Sequence, residues 1–283
     1  MQKHPNVQII MKLFALAMLS LVSSVTVCSG FSKEVGIHSG TYGNDDVEVF
    51  QPEEVTYHLT GGDGVFYEGA FTFDNYNPDK GGAGNRQGVF SGYSTHFSST
   101  EGTSLGFHCT GLNPGKNSSA SKSFIFVMGP WESGEEFVAP QVTFQDLGDL
   151  SFIADNMDMI GITDGATAGT SGGRYGKADL VSFNNVGNIE FRGLNHGGIG
   201  FSRLNSLAFT NTGDISFTDM KMGYSSHGGA IFINQGGDSS LYSKPGDGNI
   251  SFDHTGNIIF RNLVKTSYYM SSAGIFTNEG SIS

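Results

Sequence analysis

Three observations in the amino-acid sequence predict an all-β fold, a right-handed parallel β-helix with three strands per coil and irregular loops. The first is a pattern present four times: VTFQDLGDLSF (Val142 to Phe152), VSFNNVGNIEF (Val181 to Phe191), LAFTNTGDISF (Leu207 to Phe217) and ISFDHTGNIIF (Ile250 to Phe260). Each copy has a Phe, a Gly four places on, then Asp or Asn, then Leu or Ile, and a second Phe eight places after the first. Apolar alternation on either side of a Gly-Asp or Gly-Asn pair describes two short strands joined by a tight bend. The second observation is composition. The 283 residues include 42 Gly and 23 Phe with only 15% charged residues, which suits many turns around a Phe-filled core and is too aromatic for a disordered chain. The third is a small-residue motif after three of the copies: HGGIGF (His196 to Phe201), HGGAIF (His227 to Phe232) and SSAGIF (Ser271 to Phe276).

Aligned end to end, these segments supply a third strand, and repeated units that cannot bury an apolar face alone are expected to stack. Stacking places Phe144, Phe152, Phe183, Phe191, Phe209, Phe217, Phe252 and Phe260 in internal ladders. The small Gly and Ala residues are expected at tight backbone bends. A sandwich of antiparallel hairpins would share the Phe pattern. The third strand and the spacings of 39, 26 and 43 residues between successive copies favour coils with looped-out insertions such as Gly237 to Gly248.

Residues 1–30 read as a Sec-type signal peptide. Lys3 and Lys12 flank the apolar run Leu13 to Val27, and the small residues Ser29 and Gly30 follow. That run is short for a membrane span, and no later segment replaces it. Residues 31–141 read as an N-terminal β-rich lead-in and early coils. Within them are the acidic stretch NDDVEV (Asn44 to Val49), alternating runs from Val55 to Phe107, a surface loop at Leu112 to Ser123 and the buried strand SFIFVMG (Ser123 to Gly129). Residues 142–283 are expected to form the repeat-bearing β-helix, open at its C-terminal end.

Removal of the leader with its two lysines takes the formal charge from −12 to −14. Such a surface repels polyanions, so nucleic acid and anionic membrane are not expected partners. Loss of Cys28 with the leader would leave Cys109 alone, a small buried apolar residue with no internal disulfide partner. Retention of Cys28 as a lipid-modified first residue is disfavoured by the preceding Val-Thr-Val.

Catalysis on a parallel β-helix needs clustered carboxylates on one strand face. Asp155 and Asp158 are three apart, which strand alternation places on opposite faces, and Asp45, Asp46 and Glu48 read as a solvated charge patch. His58, His96, His108, His196, His227 and His254 lack metal-ligand spacing. His196 and His227 share a repeat position before Gly-Gly, and packing at a bend is the expected role. GGDG (Gly61 to Gly64) and GGAGNRQG (Gly81 to Gly88) lack the GK[ST] and following helix of a phosphate loop. Trp131 with Glu132, Glu135 and Glu136 reads as an exposed loop. No catalytic residue, cofactor site or metal site is expected.

Gly228, Gly229, Ala230 and Ile231 form a GGAI motif among Phe-rich repeats behind a signal peptide. In this the chain resembles the polymorphic outer-membrane proteins of chlamydiae, autotransporters marked by GGA[ILV] and FxxN repeats. The resemblance covers about Val142 to Ser283. GGA[ILV] occurs once, FxxN is absent, and FIADN (Phe152 to Asn156), FRGLN (Phe191 to Asn195) and FRN (Phe260 to Asn262) are the nearest sequences. The family implies a β-helical passenger exported through a C-terminal β-barrel. Its role would be adhesion to a host-cell receptor or antigen display, with related surface proteins as further partners. It places the chain in the periplasm, at the outer membrane or cell surface, or secreted, with no integral membrane span after signal removal. The chain stops within what reads as a further repeat, so a truncated or frameshifted copy, or a fragment, is expected. A carbohydrate-active β-helix enzyme is the alternative.

Overall fold

A computed structural model describes residues 31–35, 38–39, 51–60, 64–72, 86–113, 121–127, 141–163, 178–201, 204–222, 229–233, 248–265, 276–277 and 281–283. Among these residues the secondary structure is all β, arranged in three parallel sheets without a helix. The chain opens with β1 (Phe31–Val35) and β2 (His38–Ser39), then β3 (Gln51–Leu59) and β4 (Val65–Thr72). Next come β5 (Arg86–Ser99), β6 (Leu105–Asn113) and β7 (Ser121–Val127), then β8 (Gln141–Leu147), β9 (Leu150–Met157) and β10 (Met159–Thr163). They are followed by β11 (Ala178–Val186), β12 (Ile189–Leu194) and β13 (Gly197–Phe201). β14 (Leu204–Thr212), β15 (Ile215–Thr218), β16 (Lys221–Met222) and β17 (Ile231–Ile233) make the next group. β18 (Asn249–Thr255), β19 (Ile258–Arg261), β20 (Val264–Lys265) and β21 (Phe276–Thr277) end the series.

Each group pairs with the groups before and after it, strand for strand and in parallel. One column runs β1, β3, β5, β8, β11, β14, β18, and a second runs β2, β4, β6, β9, β12, β15, β19. A third runs β5, β7, β10, β13, β17, β21. The 14-residue β5 belongs to two columns: Arg86 to Gly92 pair with β7, while Thr95 to Ser98 pair with β8. The first and third columns are thereby one twelve-stranded sheet, and β16 with β20 forms a short sheet of its own. This arrangement is compatible with a parallel β-helix.

The repeat explains each bend. In the second copy Val181, Phe183, Val186, Ile189 and Phe191 are all buried. Inward positions are two apart within a strand but three apart across the bend, so alternation must slip there. Asn185 supplies the slip with φ 53°, and Asp146, Asn211 and His254 repeat it at 56°, 53° and 50°. Asn and Asp tolerate this left-handed conformation better than other residues with a side chain.

The buried rings stack in two files. Tyr57, Phe97, Phe144, Phe183, Phe209 and Phe252 stand 4.7–5.2 Å apart, centroid to centroid. Tyr67, Phe107, Phe152, Phe191, Phe217 and Phe260 stand 4.9–5.4 Å apart. Both spacings follow the interstrand distance of roughly 4.8 Å that parallel pairing imposes. In the third column the register-matched Ile125, Ile162, Ile199 and Ile231 are fully buried.

Gly161, Gly198 and Gly200 lie within β10 and β13 rather than at the tight bends expected of them. A Cβ on Gly161 would lie 2.8 Å from the Phe191 ring and 2.4 Å from the Gly198 carbonyl, and one on Gly198 would lie 2.7 Å from the Phe217 ring. The missing side chains make room for the ladder. The end-to-end alignment of the small-residue motifs is corrected by one residue, because Ile199 pairs with Ile231 and Ile231 with Phe276. Phe232 therefore pairs with Gly200 rather than Phe201. Its ring occupies the space a Cβ on Gly200 would need, at 2.2 Å.

Candidate functional site

The outer surface carries two kinds of polar array. At the bends, side chains bridge successive passes of the chain. Asp149 Oδ1 accepts from the Asn188 backbone N–H at 2.8 Å and Asn188 Oδ1 from Asp214 N–H at 3.1 Å, while Asp214 Oδ1 accepts from Asn257 N–H at 2.8 Å. A parallel file joins Asp146, Asn185 and Asn211 through their side chains. Asp149, Asn188 and Asp214 thus satisfy backbone donors that would otherwise face a corner, while the second file bonds side chain to side chain. They are occupied structurally.

The second array lies where strands β9, β12, β15 and β19 of the second column end. Here the left-handed residues are Asn156, Gly193, Asp219 and Asn262, with φ of 56°, 68°, 54° and 53°. Between β9 and β12 the register shifts: Arg192 pairs with Ile153, but Leu194 pairs with Met157. β9 thus bulges, and a bulge re-aims side chains away from the regular pleat. Asp155 sits on it, 3.5 Å from His108 Nε2, while His108 Nδ1 lies 3.4 Å from Glu68. An open groove of about 710 Å³ runs beside it, lined by His108, Asp155, Asn156, Arg192, Asp219 and Lys221 among others.

Asp155 and Asp158 are not brought to a shared site. Asp155 meets His108, whereas Asp158 meets His196 at 4.0 Å. Burial pushes the His196 pKa below its ordinary value, against the opposing pull of Asp158. His58 Nδ1 shares a hydrogen bond with Ser98 Oγ at 3.2 Å, and His96 Nδ1 with Thr143 Oγ1 at 2.7 Å. His254 is exposed, 3.5 Å from Asp253. Cys109 is buried, and its thiol donates to the Gly111 carbonyl at 3.2 Å. Among the described residues no group of three His, Cys, Asp or Glu side chains is placed to hold a metal ion. His227, Gly228, Asp45, Asp46, Glu48, Trp131, Glu132, Glu135, Glu136 and Cys28 lie outside the described residues. No helix among the described residues is long and apolar enough to cross a membrane.

The groove escaped sequence reasoning because five separate segments each contribute one to three residues to it. One signal was available: after the second Phe, RGLN, TDM and RNL each place Gly, Asp or Asn at the second position. No protein-family model, curated protein or solved structure matches the chain.

Proposed function

We propose that the chain is a right-handed parallel β-helix with three strands per coil, exported by a Sec-type signal, acting as a non-enzymatic surface solenoid. Its role on this reading is adhesion to a host-cell receptor or antigen display, as for the passengers of polymorphic outer-membrane autotransporters. The observation that carries the proposal is the pair of aromatic files, one ring from each file in every pass from β3 to β19. A scaffold of this kind spends its most distinctive residues on stiffness and leaves recognition to what projects from it. The GGAI motif fits the same division of labour. Ala230 and Ile231 are fully buried, so they serve packing and contact no ligand.

The alternative, a carbohydrate-active enzyme, draws support from the groove. Its lining holds two carboxylates, Asp155 and Asp219, and these face His108 and Asn262 respectively. Beads coated with the full chain, incubated with cultured epithelial cells, test the adhesive role. Attachment above albumin-coated beads, abolished by soluble chain, is expected, and attachment equal to albumin overturns it. Release of reducing ends from a panel of polysaccharides would transfer the assignment to the enzyme.

A further inference from the structure

We infer that the groove beside the β9 bulge is a binding site for a neutral, hydroxyl-rich oligosaccharide lying across successive passes of the chain. This names a ligand class for the surface role above and rests on that reading. From β8 onward the described strand pairings within the two ladder columns keep register except at Arg192/Leu194. The irregularity and the groove coincide. β9 spans Ile153 to Met157 where β12 spans Arg192 to Leu194, so two extra residues push out beside His108.

Gly193 gives the groove its depth. It lies between Asn156 and Asp219 in the left-handed file, and a Cβ there would stand 1.7 Å from the Ala154 carbonyl oxygen. No side chain fits, so the floor is recessed where its neighbours carry amide or carboxylate groups. Lining residues come from five passes: His108, the bulge, Arg192, the Asp219 to Lys221 corner, and Asn262 with Val264. Four intervals of about 4.8 Å give a length of ~19 Å, and each interval is close to the repeat of an extended hexose chain.

The lining chemistry selects hydroxyls. The lining itself holds two carboxylates, Asp155 and Asp219, and two cations, Arg192 and Lys221. Two further carboxylates stand at its edge, Glu190 3.6 Å from Arg192 and Glu68 3.4 Å from His108. Such a surface disfavours an anion, while its carboxylate, guanidinium and amide groups can accept from and donate to vicinal hydroxyls. Charge-assisted hydrogen bonds of this kind are the stronger ones. Val264 is 53% exposed at the rim, with the buried Met220 and Ala154 packed beneath the floor. Val264 offers the apolar contact that the C–H face of a pyranose takes, beside the placed polar groups.

Calorimetric titration of the full chain with a β-1,4-linked glucose tetrasaccharide tests the site. Saturable binding is expected. Arg192→Ala and Lys221→Ala, both at exposed positions, should each weaken it by about tenfold, the loss of one charge-assisted hydrogen bond. Arg261→Ala, outside the groove lining, should leave the affinity within about twofold. Raising the salt should change little, because no net charge is neutralised. The inference is overturned by absence of saturation up to about 10 mM, by tighter binding of tetragalacturonate or of an acidic peptide, or by equal losses in the Arg261 variant. Titration judges the groove independently of bead attachment. A chain that attaches to cells without binding saccharide refutes the groove alone, and one that binds saccharide without attaching refutes the adhesive role alone.

Discussion

Replacing Phe191 with Ala removes one ring from the middle of a file. The ring stacks on Phe152 at 4.9 Å and on Phe217 at 5.0 Å, with interplanar angles of 9° and 3°. It is fully buried. Truncation of a buried Phe costs about 3–5 kcal/mol through lost transfer energy and the cavity left behind. Two stacked neighbours each add about 0.5–1.5 kcal/mol of ring–ring interaction. Collapse offers little relief, because Gly161 and Gly198 on the facing strands have no side chains to fill the void. We therefore expect a loss near the upper end, about 5 kcal/mol. Phe260→Ala makes the comparison. Phe260 is only partly buried and stacks on Phe217 at 5.4 Å, so its loss should cost about 1–2 kcal/mol. Urea unfolding followed by far-UV circular dichroism measures both, with the midpoint and slope analysed separately because stacked repeats can lose cooperativity. A Phe191→Ala loss below about 2 kcal/mol, or equal losses at the two sites, would refute the ladder as the main source of stability.

Gly161→Ala should destabilise by about 1–3 kcal/mol in the same assay. Combining it with Phe191→Ala should not restore stability, because the Gly198 carbonyl, 2.4 Å from the new Cβ, remains. At the bend, Asn185→Ala should cost about 1–2 kcal/mol through its left-handed backbone and the lost bond to Asp146, and Asn185→Gly distinctly less. Since burial lowers the His196 pKa, the unfolded chain takes up the proton first. Stability contributed by neutral His196 is then present above its ordinary value of 6.5 and lost as the pH falls below it. His196→Gln should flatten that acid limb in pH-dependent melting curves, and an unchanged limb would assign it to other groups. Cys109 should resist iodoacetamide in the folded chain and react in urea, as peptide mass mapping would reveal.

The sequence made the middle of the fold legible and left its edges obscure, for separate physical reasons. Phe-x7-Phe around Gly-Asp is readable because a two-residue bend fixes the spacing. Tyr57 with Tyr67 and Phe97 with Phe107 belong to the same files but are ten apart. Their bends are two residues longer, and one is held by Ser99 Oγ accepting from Thr103 N–H at 3.0 Å. The third strand misled because its Gly-Gly motif invites alignment by identity. Pairing instead follows the fit of Phe232 over Gly200, a one-residue slip that exchanges the two faces of a strand. The bulge at Asp155 and Asn156 looks like any polar strand end, and only the register of β12 reveals the two extra residues.

Equal ring spacing in both files has a consequence for how such a chain can change in length. Residues 26 apart, Phe183 and Phe209, occupy equivalent places one pass apart, as do Phe191 and Phe217. Excising that many residues from this interval would lower Phe209 onto Phe144 and Phe217 onto Phe152 with every inward position still inward. Excising one residue fewer within a strand would turn its inward set outward. Within its strands the fold therefore tolerates insertion and loss in whole passes and resists them in single residues, while the unequal spacings of 39, 26 and 43 residues are taken up between strands. Its size is counted in rings rather than in amino acids.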